Sequence, residues 1–276
     1  MMDTKGFPKA INDTQRDFLR LCELGGGARG GPPRGKVLEV LRASGKSLNM
    51  LAHAEAQTHL AAYPDANPWH LCFAIGLSWG HLARLDVDFT GAVADVLANW
   101  NSGDLAAAKS FHMERGPEPI EQSLRGAHNL FGRVILPKTL PSTLDRLDTA
   151  QQRWISPILT GSDRPRYIGS WNATAMFMAA LFAQPSLAAL QTEPRPMLPP
   201  GGPIFKGLQM LHKAGLLKEP PSGSELDDQA FEPGSLYENN KHLADLCAGL
   251  PGWSLIDVHS GVYMLGTRHP HSGKWV

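Results

Sequence analysis

Two segments dense in proline and glycine set the strongest limit on how this chain can fold. Their sequences are GGGARGGPPRG at residues 25–35 and TEPRPMLPPGGP at residues 192–203. Proline lacks the backbone donor that helices and sheets need, and glycine raises the cost of ordering a regular element, so both segments are predicted to be connectors. We therefore expect an N-terminal helix with its connector at 1–35, a helical domain at 36–191 and a small region at 204–276.

Apolar residues recur at helical spacing between the two connectors. This periodicity predicts helices near residues 36–43, 47–63, 68–85, 90–99, 105–115, 120–130, 144–159 and 170–184, with a further short helix near 14–24. Asn67 followed by Pro68 is typical of a helix start, because Asn is a good N-cap and Pro suits the first helical position.

The C-terminal region carries two different patterns. Residues 204–219, IFKGLQMLHKAGLLKE, have the spacing of an amphipathic helix with Gly215 near its end. Residues 252–267, GWSLIDVHSGVYMLGT, alternate apolar and polar side chains around Ser260 and Gly261, which is typical of a β-hairpin with a short turn. The predicted fold class is mainly α: a helical domain with a smaller C-terminal α+β region that ends in a β-hairpin.

Charge and cysteine usage limit the partners and the compartment. The 276 residues include 26 Lys and Arg against 26 Asp and Glu, so no net field favours nucleic acid or an anionic membrane. No window of about 18 apolar residues occurs, and the N-terminus lacks the apolar stretch of a signal peptide. The three cysteines are far apart in apolar contexts, which indicates reduced, buried thiols. We expect a cytoplasmic protein that binds neither nucleic acid nor membrane.

The segment GLSWG, residues 76–80, has the G-x-S-x-G spacing of a serine nucleophile elbow. In that interpretation LCFAI before it is a buried strand, Ser78 is the nucleophile, and Asp257 with His259 or His269 supplies the acid and the base. The alternative places all of these residues in one helix that Asn67 caps. The helix is favoured because the preceding residues have helical periodicity and no oxyanion loop of the H-G-G-G type is present.

The segment HAEAQTH, residues 53–59, concentrates polar side chains that could do acid-base work. Glu55 and His59 share a helix face and continue the stripe formed by Leu48, Leu51 and Ala52, so they are predicted either to pair within the fold or to form an active site. The His spacing does not match a zinc motif and Glu-x-x-His is absent, so no metal is predicted.

Two near-matches to a phosphate-binding loop, at residues 30–37 and 44–47, are both incomplete. The first has Val37 where Ser or Thr would bind magnesium, and the second lacks the leading glycine. No cofactor is therefore predicted.

A cluster of charged and aromatic residues precedes the helix predicted at 170–184. Arg164, Arg166 and Tyr167 lie just before its start, where an arginine pair beside a helix N-terminus can bind an anion. The simpler interpretation is a solvated loop.

Two classes of function are compatible with these features. The first is a protein-binding module, for example an inhibitor or an immunity-type partner of another protein, which is suggested by the lack of a complete catalytic motif. The alternative is an enzyme with a site between helices, using Glu55 and His59 as an acid-base pair or acting as a serine hydrolase through Ser78.

Overall fold

The regular structure of this protein is helical. The structure, a computed structural model, describes residues 6–25, 31–79, 93–94, 140, 179–180, 182–183, 202–221, 241–248 and 255–267. Most of these residues are helical and none of them lies in a strand. The prediction of a mainly α fold is confirmed for this part of the chain.

The described helices are α1 (Gly6–Gly25), α2 (Arg34–Ala62), α3 (Pro68–Trp79), α4 (Gly202–Lys213), α5 (residues 241–247) and α6 (Leu255–Gly266). Residues 93–94, 179–180 and 182 are also helical and fall within helices predicted from the sequence. The other helices predicted between residues 80 and 184 lie outside the described residues.

The chain divides into two compact units. The first unit takes in residues 1–52, 83–85 and 186–276, and the second takes in residues 53–82 and 86–185. The first unit therefore holds α1, the first part of α2, and α4 to α6. The domain division predicted from the connectors stays a prediction, because residues 192–201 of the second connector lie outside the described residues.

Helix α1 is amphipathic, as its sequence predicts, but it begins at Gly6 rather than near residue 14. Its buried side chains follow the i, i+3, i+4, i+7 spacing: Ile11, Thr14, Gln15 and Phe18. Thr14 Oγ1 lies 2.8 Å from Ser44 Oγ of α2, which joins the two helices within the first unit.

Helix α2 is a single helix where the sequence predicts two. The SGKS segment lies in its interior, so the second phosphate-loop near-match is helical. Of the first near-match, residues 34–37 belong to the start of α2 and residues 31–33 precede the helix. The buried positions keep helical spacing along the whole length: Leu38, Leu41, Gly45, Asn49, Ala52, Ala56 and His59. Gly45 therefore belongs to the packed face of α2 and does not end a helix.

The predicted C-terminal β-hairpin is wrong, because Ser260 and Gly261 lie inside α6. Gly261 is used for close helix packing rather than for a turn: a Cβ on it would stand 2.0 Å from the carbonyl oxygen of Leu41 in α2. A Cβ on Gly207 of α4 would likewise stand 2.3 Å from the carbonyl oxygen of Val262 in α6. Helix α6 thus packs tightly against both α2 and α4, and glycines make that approach possible.

Side chains of α1 and α2 bind the last carbonyl groups of α6 and α5. Gln15 Nε2 donates to the carbonyl oxygens of Leu265 at 3.1 Å and Thr267 at 2.7 Å, at the end of α6. Arg34 donates from Nη2 to the carbonyl of Asp245 at 2.7 Å, at the end of α5. The last carbonyls of a helix have no partner within the helix, so these contacts satisfy acceptors that the helices leave open.

Helix α4 ends as its sequence predicts. Gly215 has a φ of +74°, its N–H donates to His212 O at 2.9 Å, and the N–H of Leu216 donates to Leu211 O at 3.0 Å. This pair of bonds is the Schellman motif, in which glycine adopts the left-handed conformation after the last helical turn.

Helix α3 starts at the predicted cap. Asn67 Oδ1 accepts hydrogen bonds from the N–H groups of Trp69 at 2.9 Å and His70 at 3.3 Å, and Pro68 occupies the first helical position. Trp69 and residues 71–76 are buried, so α3 is covered on all sides in this stretch. The favoured prediction of a helix at this segment is confirmed as far as Trp79.

Among the described helices, none is long and apolar enough to cross a membrane. All three cysteines are free; Cys72 is buried, whereas Cys22 and Cys247 are half-buried. Burial raises the pKa of the Cys247 thiol to about 11, although the charge of Arg34 lowers it in part.

Candidate functional site

The structure brings Glu55 and His59 together on one face of α2, one turn apart. His59 Nε2 donates to Glu55 Oε1 across 2.9 Å. The imidazole also stacks on the ring of Tyr63, with 6.5 Å between the ring centroids and 17° between the planes. The predicted pairing of the two side chains is therefore present, and the donor nitrogen of the ring is Nε2.

The neighbouring polar residues of α2 bind a different element. His53 Nδ1 donates to the carbonyl oxygen of Phe182 at 2.8 Å, and Gln57 Nε2 donates to that of Ala183 at 3.0 Å. Both bonds lie within the second unit. Of the polar side chains in HAEAQTH, two thus anchor α2 to residues 182–183 while Glu55 and His59 bind each other.

Burial indicates what the Glu55–His59 pair can do. The side chain of His59 is 2% exposed and that of Glu55 is 11% exposed. A general base needs access to the proton that it removes, and this imidazole is enclosed. The buried face of α2 also differs from the predicted stripe. Leu51 is 40% exposed, and His59 continues a buried face formed by Ala52 and Ala56. The geometry favours a structural pair.

Ser78 lies in the last turn of α3, and residues 71–75 before it are helical. A nucleophile elbow requires a strand at 71–75 and a sharp turn at the serine, and the backbone here has neither. Ser78 belongs to the second unit, whereas Asp257 and His259 belong to the first. A catalytic role for Ser78 stays a hypothesis without the backbone context that suggested it.

Asp257 and His259 lie in α6, and both are buried. The Asp257 carboxylate accepts a hydrogen bond from Asn49 Nδ2 at 2.8 Å, and Asn49 Oδ1 accepts one from Ser260 Oγ at 2.6 Å. Burial raises the pKa of the Asp257 carboxyl above its usual value, and the Asn49 bond and the nearby charges of Arg42 and Lys46 oppose that rise. The three side chains form one buried polar network between α2 and α6.

Sequence reasoning missed Asn49 as a member of this network. A signal was present, because Asn49 continues the apolar face of Leu38 and Leu41 at helical spacing. A polar residue at such a position has to find a partner on another element, since an unpaired buried amide is costly.

The anion-site candidates Arg164, Arg166 and Tyr167 lie outside the described residues, as does His269. In the part of the chain that the structure describes, no group of three or more His, Cys, Asp and Glu side chains could hold a metal ion.

A groove runs between α1 and α2 in the first unit. Its volume is about 560 Å³, and Leu21, Leu24, Val40 and Ala43 supply its apolar lining. The contacts of Thr14 with Ser44 and the position of Leu24 near Lys36 show that the two helices are antiparallel. Four charged residues line the same groove: Asp17 and Arg20 from α1, and Lys36 and Glu39 from α2.

Comparisons of this chain with models of protein families, with curated proteins and with solved structures found no match.

Proposed function

We propose that this protein binds another protein, and that the α1–α2 groove accepts an amphipathic helix of the partner. The observation that carries the proposal is the distribution of exposed apolar side chains. Leu24 is 72% exposed and lines the groove, and Met50, further along α2, is 58% exposed. An exposed apolar side chain such as Leu24 in a groove is typical of a protein-binding surface, and an amphipathic helix can place its apolar face in a groove between two helices.

The charges at the groove support a partner helix that carries both acidic and basic side chains beside its apolar stripe. Each helix contributes one acidic and one basic residue, so the groove has no net charge. Arg20, Lys36 and Glu39 form no ion pair with any described residue. A partner helix with an apolar stripe between acidic and basic flanks matches this lining in both polarity and charge.

The geometry gives less support to the alternative function, an enzyme with a site between helices. The Glu55–His59 pair is enclosed, and the residues before Ser78 are helical, so neither candidate site gains support from the geometry. An inhibitor or immunity-type protein would act through a surface such as the groove, without any catalytic group.

Position-specific photo-crosslinking in cells tests the proposal. A benzophenone amino acid replaces Leu24 in one sample and Glu23 in a second, matched sample. Glu23 is its exposed neighbour on α1 and does not line the groove. We expect a protein adduct from position 24 alone, with the crosslink mapped by mass spectrometry to an amphipathic helix of the partner.

Two results would overturn the proposal. One is the absence of an adduct at position 24. The other is the same set of adducts at both positions, which would indicate non-specific crosslinking along α1. A crosslinked segment without helical apolar spacing would also contradict a helix as the occupant.

A further inference from the structure

A second cavity lies in the first unit, away from the α1–α2 groove. Its volume is about 540 Å³, within the range of small-molecule sites. The segment after α4 forms one wall with residues 216–219, α5 forms another, and Arg34 at the start of α2 lies between them. No residue of the binding groove lines this cavity, so the two are separate sites.

Arg34 is held in place by the end of α5. Its Nε donates to Leu246 O at 3.0 Å, and its Nη2 donates to the carbonyl oxygens of Asp245 at 2.7 Å and Ala248 at 3.3 Å. Its Nη1 makes no hydrogen bond with the described residues. The guanidinium is therefore fixed before any ligand arrives, with one terminal nitrogen available as a donor.

The cavity is lined by more positive than negative charge. Arg34, Lys218 and Lys241 line it with Glu219 and Asp245, which is three cationic against two anionic groups. Neither lysine forms an ion pair with a described residue. Two ammonium groups and one guanidinium nitrogen therefore line the same cavity without a described carboxylate as partner.

The remaining wall consists of three leucines and His242. Leu217 and Leu246 are buried and Leu216 is half-buried, and all three line the cavity. An inorganic ion would leave the leucines without a contact, whereas a ligand with a short hydrocarbon part would cover them.

We propose that this cavity binds a small organic anion: its carboxylate or phosphate group contacts Arg34, Lys218 and Lys241, and its short apolar part packs on Leu216 and Leu217. Carboxylate and phosphate monoester share the chemistry that these cations recognise. The leucines select against a bare ion.

Isothermal titration calorimetry with four probes tests this site on the full chain. Hexanoate and hexyl phosphate carry the two kinds of anionic group on the same hydrocarbon chain. Hexanamide keeps that chain without the negative charge, and inorganic phosphate keeps the charge without the chain. We expect one-to-one binding of at least one of the two anions, with both half-ligands bound at least about tenfold more weakly. The anion that binds more tightly identifies the class.

Lysine variants connect the binding to this cavity. The Lys218→Gln, Lys241→Gln double variant should weaken binding of the anion by about tenfold or more, as expected when charged hydrogen bonds are lost. Lys213→Gln is the matched control, because Lys213 is an exposed lysine of α4 that does not line the cavity. The proposal is overturned if neither anion binds, if hexanamide binds as tightly, or if the control variant loses as much affinity as the double variant.

Discussion

Gly45 of α2 and Asp257 of α6 touch backbone to backbone: a Cβ on Gly45 would stand 1.7 Å from the carbonyl oxygen of Asp257. One turn further along α2, Asn49 donates a hydrogen bond to the carboxylate of the same aspartate at 2.8 Å. Close packing and a buried polar contact therefore occur at the same crossing of two helices.

The close approach predicts the effect of Gly45→Ala. Helix propensity alone would make this change stabilising by about 1 kcal/mol in a helix interior. We expect the opposite, a loss of about 2–3 kcal/mol in the free energy of unfolding, because the added methyl group meets rigid backbone atoms. Urea denaturation of the two proteins measures the difference.

Gly35→Ala is the control for that measurement. Gly35 lies in the first turn of the same helix, and a Cβ there has no atom within 4 Å. Its replacement should change the unfolding free energy by less than about 0.5 kcal/mol. Equal effects of the two substitutions would show that Gly45 is not at a tight crossing.

The buried carboxyl of Asp257 predicts a pH dependence of stability. Because burial raises its pKa above the ordinary value of 3.8, the folded state holds this proton to a higher pH than the unfolded chain does. The Asp257 contribution to the unfolding free energy thus decreases as pH rises through the window from the ordinary to the raised pKa. Asp257→Asn should remove this loss, since its amide oxygen can still accept the hydrogen bond from Asn49.

Thermal melts at about pH 4 and about pH 7 measure that effect. The melting temperature of Asp257→Asn minus that of wild type should be larger at the higher pH than at the lower pH. Asn49→Ala should steepen the pH dependence, because the Asn49 hydrogen bond is one of the interactions that lower the Asp257 pKa. Parallel pH profiles for wild type and Asp257→Asn would contradict the prediction.

The enclosed Glu55–His59 pair predicts a loss of stability when one partner is removed. Glu55→Ala leaves a buried imidazole N–H without its acceptor, which typically costs about 1–3 kcal/mol. Glu55→Gln keeps an oxygen at the same position and should retain most of the stability. Chemical denaturation of both variants gives the comparison.

An exposed pair provides the reference for this measurement. The distance from Asp13 Oδ1 to Arg16 Nη2 in α1 is 2.8 Å, close to the 2.9 Å of the buried pair, but these side chains are 38% and 64% exposed. Asp13→Ala should therefore cost no more than about 0.5 kcal/mol. If Glu55→Ala is as mild as Asp13→Ala, the pair contributes nothing to the fold.

The helical backbone around Ser78 predicts its chemical behaviour. A fluorophosphonate probe reacts with serines that a neighbouring base activates, and an unactivated serine is a weak nucleophile. We expect Ser78 to stay unlabelled in the intact protein, as judged by peptide mass spectrometry. Labelling that disappears in Ser78→Ala and in His259→Ala would restore the serine hydrolase hypothesis.

Local signals in the sequence were sufficient for part of the fold. The start of α3 depends on Asn67 and Pro68, and the end of α4 depends on Gly215, whose hydrogen bonds join residues within five positions of each other. Such signals act through the nearest backbone groups and need no tertiary contact. The pairing of Glu55 with His59 also follows from sequence, because residues four apart on a helix are neighbours.

Helix α6 was decided by tertiary structure. Ser260 and Gly261 are a common turn pair, and the sequence around them alternates in polarity, so local rules favour a hairpin. In the folded chain that segment is buried against both α2 and α4, and the glycine provides room for the backbone of Leu41. A glycine in a turn and a glycine at a helix crossing look the same in sequence, because only the position of the second helix distinguishes them.

The same reason explains what the sequence determined about the candidate sites. It identified Glu55 and His59 as a pair because their contact lies within one helix. It did not identify Asn49 as the partner of Asp257 or the α1–α2 groove, which depend on residues of separate helices. Short-range contacts are set by helical geometry, whereas the long-range ones exist only after the helices have packed, and it is these that form the buried network and the α1–α2 groove.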